Sequence, residues 1–121
     1  MKSFFAIAAF TLVANFAVAQ YSMDSDGKTL RNSSNSSCGS IDSDGKTIRN
    51  SSNSSVGSVD SDGKTIRNSS NSSVLKVDGN DIRNSSNSVI AKMSDVTSAI
   101  KGAKATAVYV ALWWFIVKGN K

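Results

Sequence analysis

Beyond Gln20 the chain is largely polar, and its apolar residues fall at fixed intervals. Met23 and Leu30, Ile41 and Ile48, and Val59 and Ile66 are each seven positions apart, and Cys38, Val56 and Val74 each follow eight positions later. A bend midway through the seven-residue interval brings the two apolar side chains face to face. With Asp44-Gly45 as a two-residue loop, Ser43 faces Lys46, Asp42 faces Thr47 and Ile41 faces Ile48, which predicts a β-hairpin closed by a type I′ turn. The same count sets Met23 opposite Leu30 and Val59 opposite Ile66, the kind of cross-strand pair that stabilises a small sheet.

The intervals belong to a tandem repeat. Tyr21 to Cys38 is followed by GSIDSDGKTIRNSSNSSV from Gly39 and GSVDSDGKTIRNSSNSSV from Gly57, a period of 18 residues. The fourth copy, LKVDGNDIRNSSNSVI from Leu75, has 16 residues. A hairpin that loses two residues should lose one on each side of its bend. Taking Gly79-Asn80 as the loop pairs Asp78 with Asp81 and keeps Val77 opposite Ile82, with Lys76 and Arg83 at hand to offset the two acids. A fifth unit starts near Ala91. Its polar string is gone, but Met93, Ile100 and Val108 keep the seven and eight spacing. Five units therefore start near positions 21, 39, 57, 75 and 91 of a single domain spanning 20–121.

Between hairpins runs Asn-Ser-Ser-Asn-Ser, a composition whose side chains hydrogen-bond nearby backbone. Its repetition predicts that Asn32, Asn50, Asn68 and Asn84, with Asn35, Asn53, Asn71 and Asn87, form equivalent rings or ladders where units meet. The competing reading is a solvated linker of low complexity.

Both ends depart from the repeat. Lys2, the apolar run Phe4 to Val18 and the small-residue site Ala17-Val18-Ala19 read as a signal peptide over 1–19, leaving Gln20 as the new N-terminus. The apolar run is short for a retained membrane span. Export would place the protein in the periplasm, at the cell surface or outside the cell. The stretch 105–117 is apolar except for Thr106 and Tyr109, and its β-branched and aromatic content predicts a buried strand. A membrane or partner contact through Tyr109, Trp113, Trp114 and Phe115 is the alternative, and a helix is a third reading.

Composition narrows the chemistry. The net charge of +5 becomes +4 without Lys2. Acids and bases nearly balance within each repeat, so nucleic acid is not an expected partner. The chain has no histidine and one cysteine. That removes the Ser-His-Asp and Cys-His arrangements and an internal disulfide. Cys38 stands where Val56 and Val74 stand, as a small apolar side chain, with an intermolecular disulfide as the sharper option. Asp-Ser-Asp-Gly resembles the start of a calcium loop, but Asn35, Asn53 and Asn71 stand where the bidentate glutamate belongs, so no cofactor or metal is expected. Arg31, Arg49, Arg67 and Arg83 are the candidate interaction surface for an anion or glycan. The plainer account pairs them with Asp24, Asp42 and Asp60.

The string D-G-K-T-I-R-N-S-S-N-S, the segment ending in Ala19-Gln20 and the aromatic tail together resemble the five-fold β-flower proteins, short exported repeat proteins of Bacteroidetes. The resemblance covers the whole mature chain. It implies five β petals in a closed, pseudo-five-fold arrangement and brings no activity, cofactor or catalytic residue with it. The expected fold is all-β, with a β-solenoid as the alternative, although spacings of seven, eight and three do not divide into hexapeptides. The expected function is a non-enzymatic, exported structural or interaction module, its repeated surface meeting a cell-surface glycan or envelope component. The alternative is a membrane-associated or self-assembling subunit that uses the aromatic tail.

Overall fold

In Thr-Ile-Arg-Asn the isoleucine, and in the partner Ser-Val-Gly-Ser-Val the glycine and the last valine, are buried on one face, while Thr, Arg and Ser alternate with them on the other. A computed structural model describes residues 20–121, and the expected signal peptide lies outside the described residues. Nine strands follow from the repeats: β1 (Tyr21–Met23), β2 (Thr29–Arg31), β3 (Ser37–Ile41), β4 (Thr47–Asn50), β5 (Ser55–Val59), β6 (Thr65–Asn68), β7 (Ser73–Asp78), β8 (Asp81–Asn84) and β9 (Val89–Lys92). Each pairs antiparallel with the next. The registers are those the apolar spacing predicts: Met23 faces Leu30, Ile41 faces Ile48, Val59 faces Ile66 and Val77 faces Ile82. The result is a sheet of hairpins, not a β-solenoid.

The turns differ from the predicted type. A type I′ turn needs positive φ at both central residues, whereas only Gly45 has it, at 73°. The Gly45 amide donates to the Asp42 carbonyl at 2.9 Å, which closes a type I turn followed by a left-handed glycine. Asp44 stabilises it from the side. Its Oδ1 accepts from the amides of Lys46 at 2.8 Å and Thr47 at 2.9 Å, and its Oδ2 from the Thr47 hydroxyl at 2.7 Å. In the short fourth unit Gly79 alone is positive, at 61°, the pattern of a type II′ turn.

Between units the ladder slips at four equivalent places. Ser37 and Cys38 oppose Arg31, and the slip recurs at Val56, Val74 and Ile90. Each is a β-bulge, which bends its strand and increases local twist. One bulge per seam curls the sheet toward its oily face.

The fifth unit breaks the pattern. Between Met93 and Ile100 there is no glycine to carry a hairpin turn, and Ser94-Asp95-Val96-Thr97-Ser98-Ala99 coils instead. Met93–Ala99 forms helix α1, started by the Asp95 carboxylate, which accepts the Lys92 amide at 2.9 Å. The chain then forms β10 (Ile100–Lys101), which pairs parallel with β1 through Tyr21 and Ile100. The sheet order is β10-β1-β2-β3-β4-β5-β6-β7-β8-β9, so the sheet is open, with β9 and β10 as its edges. The expected closed ring of strands is corrected accordingly: α1 lies in the gap where a fifth hairpin would join those edges. The apolar spacing still does its work, because Met93 is 5% and Ile100 0% exposed.

The predicted strand over 105–117 is also corrected. Ala107–Leu112 forms helix α2, and Trp113–Val117 continues it as a π-helical turn whose Lys118 amide reaches the Trp113 carbonyl at 2.9 Å. The segment lies on the oily face and packs against β3, β4, β5 and β6. A run apolar on nearly all sides suits any fully buried element. The segment lies across the strands β3 to β6 and not beside an edge, where no ladder partner is offered, and a helix satisfies its own backbone hydrogen bonds. Leu30, Ile48, Ile66, Ile82 and Ile100, one from each unit, are fully buried, as are Val110, Ala111 and Leu112 of the helix. Val108, expected as the third apolar position of unit five, belongs to this helix instead.

One repeat position records where the helix passes. Tyr21, Gly39, Gly57, Leu75 and Ala91 are equivalent. A Cβ on Gly57 would lie 2.2 Å from Phe115 Cε2, and one on Gly39 would lie 2.9 Å from Ile116 Cγ1. The two glycines make room for the helix, and the larger residues fill the units it does not cross.

Candidate interaction surfaces

Antiparallel hairpins place all the Asp-Gly turns at one end of the sheet and all the Asn-Ser-Ser-Asn-Ser loops at the other. The four loops are copies in backbone as well as in sequence. Asn35, Asn53, Asn71 and Asn87 adopt left-handed φ values of 64°, 64°, 65° and 67°, a region asparagine tolerates better than other residues with a β-carbon. In each loop the first asparagine caps the turn. Asn50 Oδ1 accepts from the amides of Ser52 at 2.9 Å and Ser54 at 3.0 Å, and Asn32, Asn68 and Asn84 do the same. These contacts are local to each loop, so the expected rings or ladders of asparagine are corrected. The loops are ordered all the same, which removes the linker reading. Their tips, including Ser34, Ser52, Ser70 and Ser86, are exposed.

The arginines sit behind these loops on the outer face. Arg49 Nε donates to Asp42 at 2.8 Å, and its Nη1 donates to the Asn53 carbonyl at 3.0 Å. Arg31 bridges Asp24 and Asn35, and Arg67 bridges Asp60 and Asn71, in the same way. Arg83 reaches the Asn87 carbonyl at 2.9 Å and lies 3.4 Å from Asp78 and 3.7 Å from Asp81. Lys92 also pairs with Asp81 and, through that hydrogen bond, lowers its pKa. The hydrogen bond to Asp42, followed by its charge, raises the pKa of Arg49, as Asp24 does for Arg31. Each arginine thus ties a hairpin to the loop after it, and successive arginines lie two strands, or about 10 Å, apart.

The aromatic candidates lie elsewhere. Tyr109 and Trp113 are only 6% and 7% exposed, which corrects their assignment to a contact surface. The Tyr109 hydroxyl crosses the sheet's interior to donate to the Gly27 carbonyl at 3.0 Å. Trp114 is half-buried, and its Nε1 has no hydrogen-bond partner. Lys118 Nζ stands 5.5 Å from the centre of the Trp113 ring. Cys38 is a half-buried free thiol at a bulge, its pKa pushed up by burial.

Two cavities form where the C-terminal segment meets the sheet, and no local sequence signal marks either. One, of about 240 Å³, lies at the turn end beside Lys46, Asp60 and Thr106. The other, of about 370 Å³, lies at the loop end where the tail passes Asn50 and Ser69. No helix among the described residues is long and apolar enough to cross a membrane.

These features define a class of protein: a repeat sheet of hairpin petals, bent at every seam around its own C-terminal helix, with the same polar loop displayed four times on one rim. The chain belongs to the 5-fold β-flower protein family, whose model matches residues 19–115. No curated protein and no solved structure matches it.

Proposed function

We propose that this chain is a non-enzymatic, exported interaction module that uses its four Asn-Ser-Ser-Asn-Ser loops to hold a polyhydroxylated polymer, such as a glycan of the cell envelope. The carrying observation is the fourfold identity of the loops, which share left-handed φ values within 3° of one another, 64° to 67°. Each loop exposes its three serines and its second asparagine on one rim. A single such contact is weak, and four at fixed spacing gain through avidity. The arginines support this reading as struts, since their Nε and Nη1 groups already hold Asp and Asn partners. Export rests on Lys2, the apolar run Phe4 to Val18 and the Ala17-Val18-Ala19 site. The absence of any histidine and the equivalence of the repeated serines favour binding over hydrolysis.

The test uses Ser34→Ala, Ser52→Ala, Ser70→Ala and Ser86→Ala, alone and combined, with retention on immobilised envelope polysaccharide as the readout. The hydroxyls of these serines take no part in the turns. Altering two loops should cut retention about tenfold, and altering all four should abolish it. Full retention by the four-loop variant would refute the proposal.

A further inference from the structure

Units one to four are electrically neutral, and unit five is not. Residues 21–38, 39–56 and 57–74 each hold two aspartates, one lysine and one arginine, and residues 75–90 hold Asp78 and Asp81 with Lys76 and Arg83. The side-chain charge of +4 left without Lys2 therefore resides in residues 91–121, where Lys92, Lys101, Lys104, Lys118 and Lys121 stand with Asp95 as the one acidic side chain. The apolar pattern departs from the repeat at the same seam. The exposed serine that opens β3, β5 and β7, at Ser37, Ser55 and Ser73, becomes Val89 in β9. The next position, half-buried at Cys38, Val56 and Val74, is exposed at Ile90, because β9 is an edge and no strand follows beside it. Val89 is 43% and Ile90 41% exposed, the only large apolar side chains so placed among the described residues.

The register gathers these departures on one face. Val89 pairs with Arg83 and Lys92 with Asp81, so both share the outer face with the arginines. On β10, Lys101 pairs with Ser22, which itself faces Arg31 on that side of the sheet. Lys92 is held by Asp81, and Asp95 accepts the Lys92 amide. Lys101 and Lys104 are exposed and make no ion pair among the described residues. An edge that meets only water is better served by the serine of the other units. Two adjacent aliphatic side chains are too little for a protein partner, whose interface buries about 800 Å² on each side, and a second copy would bring the same unpaired lysines to the contact. An anionic bilayer suits both features: a shallow apolar anchor enters the headgroup layer, and lysines beside it reach the lipid phosphates. We infer that unit five docks on the surface of an anionic lipid bilayer, with Val89 and Ile90 in the headgroup layer and Lys101 and Lys104 on the phosphates. The contact uses none of the Ser34, Ser52, Ser70 and Ser86 hydroxyls, and vesicles free of polysaccharide read it, so this inference and the rim reading stand or fall separately.

The experiment floats the mature protein with vesicles of phosphatidylcholine alone and of phosphatidylcholine mixed with phosphatidylglycerol. The mixed vesicles should carry the protein and the neutral ones should not, and added salt should release it. Lys101→Gln and Lys104→Gln should each weaken binding about fivefold, the change expected for one lysine at an anionic surface. Val89→Ser writes back the residue of the other units, so its thermal melt should match the parent while its vesicle binding falls about fivefold or more. Lys28→Gln, at the far side of the sheet, should bind as the parent does. Equal binding to both vesicles, binding to neither, or indifference to Val89→Ser and Lys101→Gln would each overturn the inference. Self-association that Val89→Ser abolishes, in a protein that ignores vesicles, would give the face to a second copy and overturn it too.

Discussion

Replacing Gly57 with alanine adds one methyl group where the helix meets the sheet. The new Cβ would stand 2.2 Å from Phe115 Cε2, 2.6 Å from Cζ and 2.8 Å from the Arg67 carbonyl oxygen. All are well inside the roughly 3.5–4.0 Å of an ordinary carbon contact. The ring cannot swing away, because Phe115 is only 5% exposed, and the carbonyl belongs to the neighbouring strand. Overpacking of this kind costs about 1–3 kcal/mol. Against it stands the gain of about 0.5–1 kcal/mol that alanine brings over glycine inside a strand. The clash wins, and Gly57→Ala should lose about 1–2 kcal/mol on balance. At Gly39 the added Cβ meets Ile116 Cγ1 at 2.9 Å, and Ile116 Cγ2 and the Arg49 carbonyl oxygen at 3.2 Å, milder overlaps than those at Gly57, so Gly39→Ala should cost less than Gly57→Ala, about 1 kcal/mol or below. Urea titration followed by Trp113 and Trp114 fluorescence reads both variants. Adding Phe115→Leu to Gly57→Ala should give a destabilisation smaller than the sum of the two single changes. A Gly57→Ala protein as stable as the parent, or more stable, would refute the seating of the helix against β5.

Three further outcomes follow from the turns and the bulge. Backbone amides hold the Asp44 and Asp62 carboxyls at about 2, below the ordinary 3.8. Their contribution is complete above pH 3.8 and disappears as pH falls toward 2, so the melting temperature should drop across that window and the drop should shrink in an Asp44→Asn, Asp62→Asn double variant. Asn53→Ala keeps a β-carbon in left-handed backbone, at φ 64°, without the amide that makes asparagine tolerated there and should cost about 1 kcal/mol, whereas Asn53→Gly removes the β-carbon and should be nearly neutral by chemical denaturation. Cys38→Val restores the residue used at the equivalent bulges and should leave stability within about 0.5 kcal/mol of the parent. The raised thiol pKa should make the parent slow to react with a thiol reagent at neutral pH.

The hairpins were legible because their information is local. Seven residues with a glycine near the middle fix which side chains face each other, and that register holds even in the shortened fourth unit. Turn type was less legible. Asp44 reads equally well as a turn residue in a two-residue loop and as the side-chain acceptor of a longer one, and only its hydrogen bonds to Lys46 and Thr47 decide. The bulges at Cys38, Val56, Val74 and Ile90 were hidden in plain view: an odd interval of seven followed by an even one of eight requires one residue out of step at each seam. The C-terminal helix was not legible from its own residues, since an apolar run carries no period. Its trace lay elsewhere, in the departure from repeat at Gly39 and Gly57, where glycine replaces the larger side chains found at Tyr21 and Leu75. The second cavity needs both the loop and the tail, which lie far apart in sequence and meet only after folding.

The central claim is that the sheet of hairpins curls around its own C-terminal helix. Nuclear Overhauser spectroscopy of protein labelled at phenylalanine and glycine tests this most directly. Cross-peaks from the Phe115 ring to the α-protons of Gly57, with helical shifts over residues 107–117, are the expected result; extended shifts over that segment and no Phe115–Gly57 cross-peak would contradict it.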